Sequence, residues 1–531
     1  MTGQAFFCEE GMRGNGHGSI RIRLSLALAV AVTFAYFGLA LFRRPSLAPL
    51  SSSGSVRGGG TDVHRPSNGP AQKSVGVPNR TPAPTAAVTR SAKDGVVSGN
   101  FSHLEDVVVV WQFVQCKCSG FFVEALTFVM GLSRHIPHIG AIVVGKNCCP
   151  LPEKMQRMLD RMIAYAAALE SSPKKWHTVD FFVADAPPTH FYRQFSVLWR
   201  KKDRFAPRLV IGRSMLETDR IFDHWGTLVW QYADEMWVPS RANKAAFDEA
   251  IERTEPVDKH SIVKRPRVTV IPECLLDDIW RDSICFRDRL PLRSILSPED
   301  RQRVGRPFRF LSTFAKAFGG RKGSDVLLRA FFEAFRDNDD VQLHIHTTPE
   351  EFRTEQDIGP DIHVFRRYAA MLYRFWGYDN VPQSFLERIV AWTEKIPLQD
   401  MPCEYGKYDA FVLPTRGEGW GLPIMEAMAA GVPVIVTNYS AIPDYVHDDC
   451  GYLVAYSAVP ATGELYVDTG GRWAEPSKSD LRRLMRHVAL HPKEAHLKGL
   501  KGQEYVRRHH NQEVCAQMIL ERMDQLLRPK T

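Results

Sequence analysis

From Arg43 to Asn100 the chain contains no phenylalanine, tryptophan or tyrosine, and Gly, Pro, Ser, Thr and Ala dominate. Such a stretch cannot bury enough apolar surface to offset the entropy of ordering it, so it reads as a flexible stem. The rest lacks a charge excess. Residues 1–100 hold 11 Lys/Arg and 4 Asp/Glu, which leaves 57 against 56 for residues 101–531. A folded part this close to neutral argues against a nucleic-acid partner, because proteins that grip phosphate backbones carry their positive excess on the folded surface. No Gly-Lys-Ser/Thr occurs, which excludes a P-loop. Among ten cysteines no pair has the two-residue gap of a zinc knuckle; Cys116-Lys117-Cys118 and Cys148-Cys149 are expected to be structural, free or disulfide-bonded. Nine cysteines follow residue 42, so at least one would stay unpaired in an oxidising lumen.

What is present begins with length. The 531 residues are enough for two or three domains with substantial cores, and 44% hydrophobic with 24% charged residues is ordinary for a globular protein. Leu24 to Phe42 is a 19-residue uncharged run between Arg21/Arg23 and Arg43/Arg44. It is long enough to cross a bilayer core and longer than the apolar region of a typical signal peptide, which predicts an uncleaved anchor and thus attachment to a membrane through one N-terminal helix. The Lys/Arg counts on its two sides are nearly equal, so charge leaves its orientation open. Sequons at Asn79 and Asn100 suit a lumenal stem. A short tail, an anchor, a stem and a large domain resemble the layout of type II membrane enzymes of the Golgi or endoplasmic reticulum with a lumenal catalytic part. The expected spans are a cytosolic tail 1–23, the anchor 24–42, the stem 43–100, a first α/β domain 101–286, a linker 287–307, a second α/β domain 308–492 and C-terminal helices 493–531.

Beyond Asp106, short apolar runs alternate with amphipathic stretches, the pattern of a parallel sheet with crossover helices. Strands are expected at 107–111, 139–144, 179–183, 209–211, 236–238 and 268–271, and again at 308–313, 341–346, 410–413, 434–436 and 452–455. Helices are expected at 121–132, 153–169, 219–232 and 241–251 in the first set, and at 325–335, 385–395, 423–430 and 480–490 in the second. The fold class is therefore α/β, two doubly wound Rossmann-like domains facing across a cleft, where ligands sit at the carboxyl ends of the strands.

One segment concentrates the chemistry. The apolar run Asp409 to Pro414 precedes Thr415-Arg416-Gly417-Glu418-Gly419-Trp420-Gly421 and then Leu422-Pro423-Ile424-Met425-Glu426 to Gly431. Pro423 suits a first helical turn and Gly431 a helix end. Glycines ahead of a helix N-terminus let backbone N–H groups approach an anion, so this is a candidate diphosphate- or sugar-binding turn. Glu-x7-Glu in this context, Glu418 and Glu426, resembles the signature of retaining glycosyltransferases of family 4, which have the GT-B fold. The resemblance spans Val107 to about Leu527.

It implies that Glu418 is placed near the transferred sugar and that Glu426 binds the ribose hydroxyls of a nucleotide-sugar donor. Gly419, Gly421 and Leu422 would line the donor turn. A second matching segment, the strand ending Phe310-Leu311-Ser312-Thr313 followed by Lys316, Gly319, Gly320, Arg321, Lys322 and Gly323, implies that Lys322 and either Lys316 or Arg321 contact the donor diphosphate. In the first domain Gly120 stands where a glycine loop approaches the donor phosphates, and Glu217 would position an acceptor or merely cap a helix. The resemblance implies no cofactor and no bound metal; the nucleotide-sugar is a co-substrate, and the acceptor is a glycan, protein or lipid hydroxyl. Rival readings are a cytosol-facing transferase acting on a lipid-linked acceptor, a non-catalytic sugar-binding protein of the same fold, and a sugar-nucleotide epimerase. His344 and His346 share a strand face without a third ligand and are expected to pack rather than bind metal, and Asp337-Asn338-Asp339 is expected to be a turn. The sequon at Asn438 falls in a loop that faces the cleft in the family, so it is expected to carry no glycan.

Overall fold

The computed structural model describes residues 101–114, 120–145, 149–171, 173–189, 207–254, 265–281, 296–314, 320–337, 340–347, 362–462 and 469–528. The tail, the anchor at 24–42 and the stem at 43–100 lie outside them, as do Lys316 and the cysteines at 116, 118, 148 and 285. Among the described residues no helix is long and apolar enough to cross a membrane.

The first lobe runs β1 (Val109–Val114), α1 (Gly120–Leu132), β2 (Ile139–Val144), α2 (Glu153–Glu170), β3 (Phe181–Asp185), β4 (Leu209–Arg213), α3 (Asp223–Tyr232), β5 (Glu235–Val238), α4 (Arg241–Arg253) and β6 (Arg267–Val270). Its six strands are all parallel, in the order β2-β1-β3-β4-β5-β6. Strands such as Phe181-Phe182-Val183-Ala184 are buried on both faces, as continuous apolar runs in a helix-covered parallel sheet must be. Ser240 caps α4 by accepting from the Asn243 N–H at 3.1 Å.

A four-residue α5 (Asp277–Trp280) follows β6. The stretch expected to be only a linker contains α6 (Pro298–Arg303), with Ser297 accepting from the Asp300 N–H at its start. This helix is docked: the buried Arg301 guanidinium donates to both oxygens of Asp409, at 3.0 and 3.2 Å.

The second lobe runs β7 (Phe308–Thr313), α7 (Ser324–Phe335), β8 (Val341–His346), α8 (Ile362–Phe375), α9 (Gln383–Glu387), β9 (Ile389–Trp392), α10 (Met401–Tyr405), β10 (Ala410–Leu413), α11 (Leu422–Ala429), β11 (Val434–Thr437) and β12 (Tyr452–Val454). These strands form a second parallel sheet in the order β12-β11-β10-β7-β8-β9. The helix expected at 385–395 is a correction. Only Gln383–Glu387 is helical, and Ile389–Trp392 pairs with β8 as an edge strand. The cause lies in the apolar spacing: Phe385, Leu386, Ile389 and Ala391 are all buried, and a run this short fits either period. An antiparallel hairpin, β13 (Tyr456–Pro460) with β14 (Arg472–Pro476), and α8 were not expected from the sequence.

The chain ends in α12 (Lys478–Leu490), α13 (Pro492–His509) and α14 (Gln512–Leu527). The last of these returns to the first lobe. Gln512 donates to the Thr127 carbonyl of α1 at 2.9 Å, and Arg134 donates to Gln512 at 2.7 Å. A disulfide joins Cys274, beyond β6, to Cys515 of α14. Cys149 and Cys403 are also disulfide-bonded, and Cys450 is a buried free thiol.

Candidate active site

The loop between β10 and α11 is held before any ligand arrives. Gly421 enters α11 with φ of +102°, a conformation that favours glycine, and Pro423 occupies the first turn. The Tyr445 hydroxyl bonds the Trp420 carbonyl at 3.0 Å while its ring stacks on Trp420 at 4.6 Å. Ser440, the hydroxyl residue of the Asn438 sequon, donates to the Glu418 carbonyl, which places this sequon beside the Gly417–Gly421 turn. Arg416 braces the loop from behind, donating to Asp325 of α7 and Glu475 of β14 at 2.8–2.9 Å.

The first lobe closes over this turn. Asn243 Nδ2 donates to the Gly419 carbonyl at 3.1 Å. Gly417 meets the backbone after β4 so closely that a Cβ there would sit 2.0 Å from the Glu217 carbonyl oxygen. A methyl placed on Gly120 would lie 3.5 Å from Leu422 Cδ1, so the start of α1 faces the start of α11. Arg241 of α4 grips Asp444 with its backbone N–H at 2.8 Å and its Nε at 2.7 Å.

Within the turn, Lys322 Nζ donates to both oxygens of Glu418, at 2.7 and 2.9 Å. Arg321 lies 3.3 Å from Glu418, donates to the Gly417 carbonyl at 2.7 Å and reaches 3.6 Å toward Glu217 of the first lobe. Burial acts to raise the Glu418 carboxyl; the Lys322 and Arg321 cations overcome it and hold the group below its ordinary value, ionised. Burial lowers Lys322 from its ordinary value, against the attraction of Glu418. Glu426, on α11, is 7% exposed and its Oε2 accepts from the Tyr405 hydroxyl at 2.8 Å. Burial pushes its carboxyl up to about 7, with the Tyr405 bond acting in the other direction.

The structure thus brings Glu418, Lys322, Arg321, Gly419, Gly421, Leu422 and Gly120 to one seam between the lobes. Of the two cations left open beside Lys322, Arg321 is the one seen at Glu418; Lys316 falls outside the described residues. Tyr405, Tyr445 and Asn243 were not singled out from sequence, and Ser440 only as part of the Asn438 sequon: each gains its meaning from a partner distant in the chain. His344 bonds Gln342 and His346 stacks on Trp392 at 4.0 Å, both packing roles.

A second polar cluster sits at the carboxyl ends of the first sheet. Arg213 donates to Glu124 Oε1 at 2.7 Å and to the Ile271 carbonyl at 2.6 Å, and the Trp111 indole donates to Asp185 at 3.2 Å. Glu124 Oε2 and Asp185 Oδ1 find no hydrogen-bond partner among the described residues. Burial raises Glu124, Asp185 and Glu273 above their ordinary values, the last two strongly, with Arg213 opposing in each case.

Residues 309–464 match the family model described as Glycosyl transferases group 1. The chain is 38% identical over 89 residues to the O-antigen chain mannosyltransferase B of Escherichia coli, covering 15% of this chain and 23% of that protein. It is 30% identical over 160 residues to the D-inositol 3-phosphate glycosyltransferase of Corynebacterium aurimucosum, covering 29% and 33%. Over 135 residues it is 31% identical to a GDP-mannose-dependent phosphatidylinositol monomannoside mannosyltransferase of Mycolicibacterium smegmatis, covering 24% and 30%. These matches span about a quarter to a third of the relatives' own lengths. The fold is similar to that of Anabaena HepE, solved with UDP and glucose, at 12% identity and a TM-score of 0.51, covering 79% of this chain and all of the other. The two parallel sheets therefore form a GT-B-like fold.

The expected placement in a Golgi or endoplasmic reticulum membrane is corrected. The matched mannosyltransferases are those of Escherichia coli, Rhizobium meliloti and Mycolicibacterium smegmatis, bacterial enzymes and not Golgi lumenal ones.

Proposed function

We propose that this chain, whose second lobe carries a glycosyl transferases group 1 domain, is a glycosyltransferase that moves a sugar from a nucleotide-sugar donor to an acceptor hydroxyl with retention of configuration. The observation that supports this most is the ionised Glu418 held between Lys322 and Arg321 where the glycine turn enters α11.

In this reading the donor diphosphate takes the place of Glu418 on the two cations, and the N-terminus of α11 adds its field. The bond between the anomeric carbon and the diphosphate oxygen breaks while a bond from the acceptor oxygen to the same carbon forms. Lys322 and Arg321 stabilise the negative charge gained by the leaving group, and the diphosphate oxygen accepts the acceptor's proton. Glu418 orients the sugar, Glu426 receives the ribose hydroxyls, and Gly120, Gly419, Gly421 and Leu422 line the donor. Glu217, opposite Arg321, is placed to meet the acceptor, which is a glycan, protein or lipid hydroxyl. No cofactor and no metal ion has a part in the scheme.

The test is a donor panel on the full chain, with GDP-mannose and UDP-glucose first because the matched relatives and fold neighbours carry those names. Release of nucleoside diphosphate with a product of unchanged anomeric configuration supports the reading. Isomerised sugar nucleotide would instead mean an epimerase, and binding without turnover a non-catalytic sugar-binding protein.

A further inference from the structure

We propose that Tyr405 is a positioning residue for donor recognition, orienting the Glu426 carboxylate so that one oxygen is committed to a ribose hydroxyl of the nucleotide. The proposal rests on the functional reading above and deepens it.

Tyr405 ends α10, a five-residue helix, and is 2% exposed. Its ring is wedged between Trp280 of α5, at 5.8 Å, and Phe411 of β10, at 6.0 Å. Aromatic packing on both sides leaves the hydroxyl one direction, toward α11, where it donates to Glu426 Oε2 at 2.8 Å. Burial, then the charge of Glu426, keep the phenol well above its ordinary value, so it remains a donor throughout the working range. A carboxylate with one oxygen engaged in this way presents the other, Oε1, in a fixed orientation. Glu426 sits on a helix whose buried neighbours Met425, Ala427, Met428 and Ala429 are apolar, and among the described residues Tyr405 is the side chain seen bonding its carboxyl. An acceptor fixed this way discriminates a ligand that carries the matching hydroxyl from one that lacks it, because the unmatched carboxylate is left buried and unsatisfied.

The test is equilibrium titration of the full chain with UDP and GDP and with their 2′-deoxy and 3′-deoxy counterparts, for wild type, Tyr405→Phe, Glu426→Gln and the double variant. Wild type is expected to favour the ribonucleotide over at least one deoxy form by about tenfold or more. Tyr405→Phe keeps the packed ring and removes only the hydroxyl; it is expected to flatten that ratio to about threefold or less while leaving deoxynucleotide affinity within about twofold. In turnover, donor KM should rise with kcat little changed. Adding Tyr405→Phe to Glu426→Gln should change the ratio no further, since the two act as a unit. Glu426→Gln, which leaves the packed Tyr405 ring in place, serves if the Phe variant does not fold: it should flatten the same ratio, and an unchanged ratio there also overturns the proposal. An unchanged ribo-to-deoxy ratio in Tyr405→Phe, or an undiminished effect in the Glu426→Gln background, overturns the proposal. If wild type binds neither nucleotide, the functional reading fails and takes this one with it.

Discussion

The carboxyl ends of the two sheets are built on the same frame and hold opposite charge arrangements. In the first lobe three buried carboxyl groups, Glu124, Asp185 and Glu273, gather around a single guanidinium, Arg213, and burial drives all three above their ordinary values. In the second lobe one buried carboxylate, Glu418, faces two cations, Lys322 and Arg321, and lies below its ordinary value despite equal burial. Burial pushes all four carboxyls upward, and the local count of cations against carboxylates separates Glu418 from the other three. One lobe gathers three carboxyls about one cation, while the other sets two cations on one carboxylate.

The comparison is broken most directly at Glu418. Glu418→Ala should lower transfer by about a thousandfold or more with the protein still folded. Turnover within a few-fold of wild type would remove Glu418 from the chemistry. The next effect belongs to Arg213. Arg213→Leu strands three carboxyls without their cation and should cost about 3–5 kcal/mol. The sign with pH follows from the raised values: the protonated forms are favoured in the folded state, so stability is full below the ordinary carboxylate range and falls as pH rises through the folded values. Without Arg213 to favour the ionised forms, the loss should be larger at pH 8 than at pH 5 in urea denaturation, and equal losses would contradict the picture.

Glu426 sharpens it further. Its carboxyl, raised by burial to about 7, costs the unliganded fold stability that is lost as pH climbs from the ordinary carboxylate range to that value, so the cost is full at pH 8. Glu426→Gln should raise thermal stability at pH 8 by about 1–2 kcal/mol while weakening nucleotide binding, a trade expected of a site held ready for a ligand. A melting temperature below wild type at pH 8 would count against the assignment. The smallest effect is expected at the seam. Arg241→Ala removes the grip of α4 on Asp444, but the arginine is largely exposed, so unfolding should shift by under about 1 kcal/mol.

Much of this was legible in the sequence because it is encoded locally. The strands buried on both faces announce themselves as continuous apolar runs, and the run Leu413 to Gly431 contains a strand end, a glycine turn and a capped helix in unbroken order. Ile389–Trp392 was misread because four residues of an edge strand carry too little periodicity to be told from the last turn of a helix. The charge balance at Glu418 was half legible. Lys322 was placed by its pattern, but the choice between Lys316 and Arg321 depended on a three-dimensional turn that spacing does not specify. Tyr405 was illegible for a deeper reason: it lies 21 residues before Glu426, on a five-residue helix with no motif, and only packing joins them.

The return of α14 to the first lobe makes the two halves inseparable by one cut in the chain. Residues 512–527 form part of the wall of a lobe whose own strands end near residue 270. A fragment stopped after α12 would bare the seat on α1 and leave Cys274 unbridged. A chimaera that exchanges second lobes must therefore splice at two places, keeping the terminal helix with the half that comes first, or it will graft the Glu418 turn onto a base that has lost its last support.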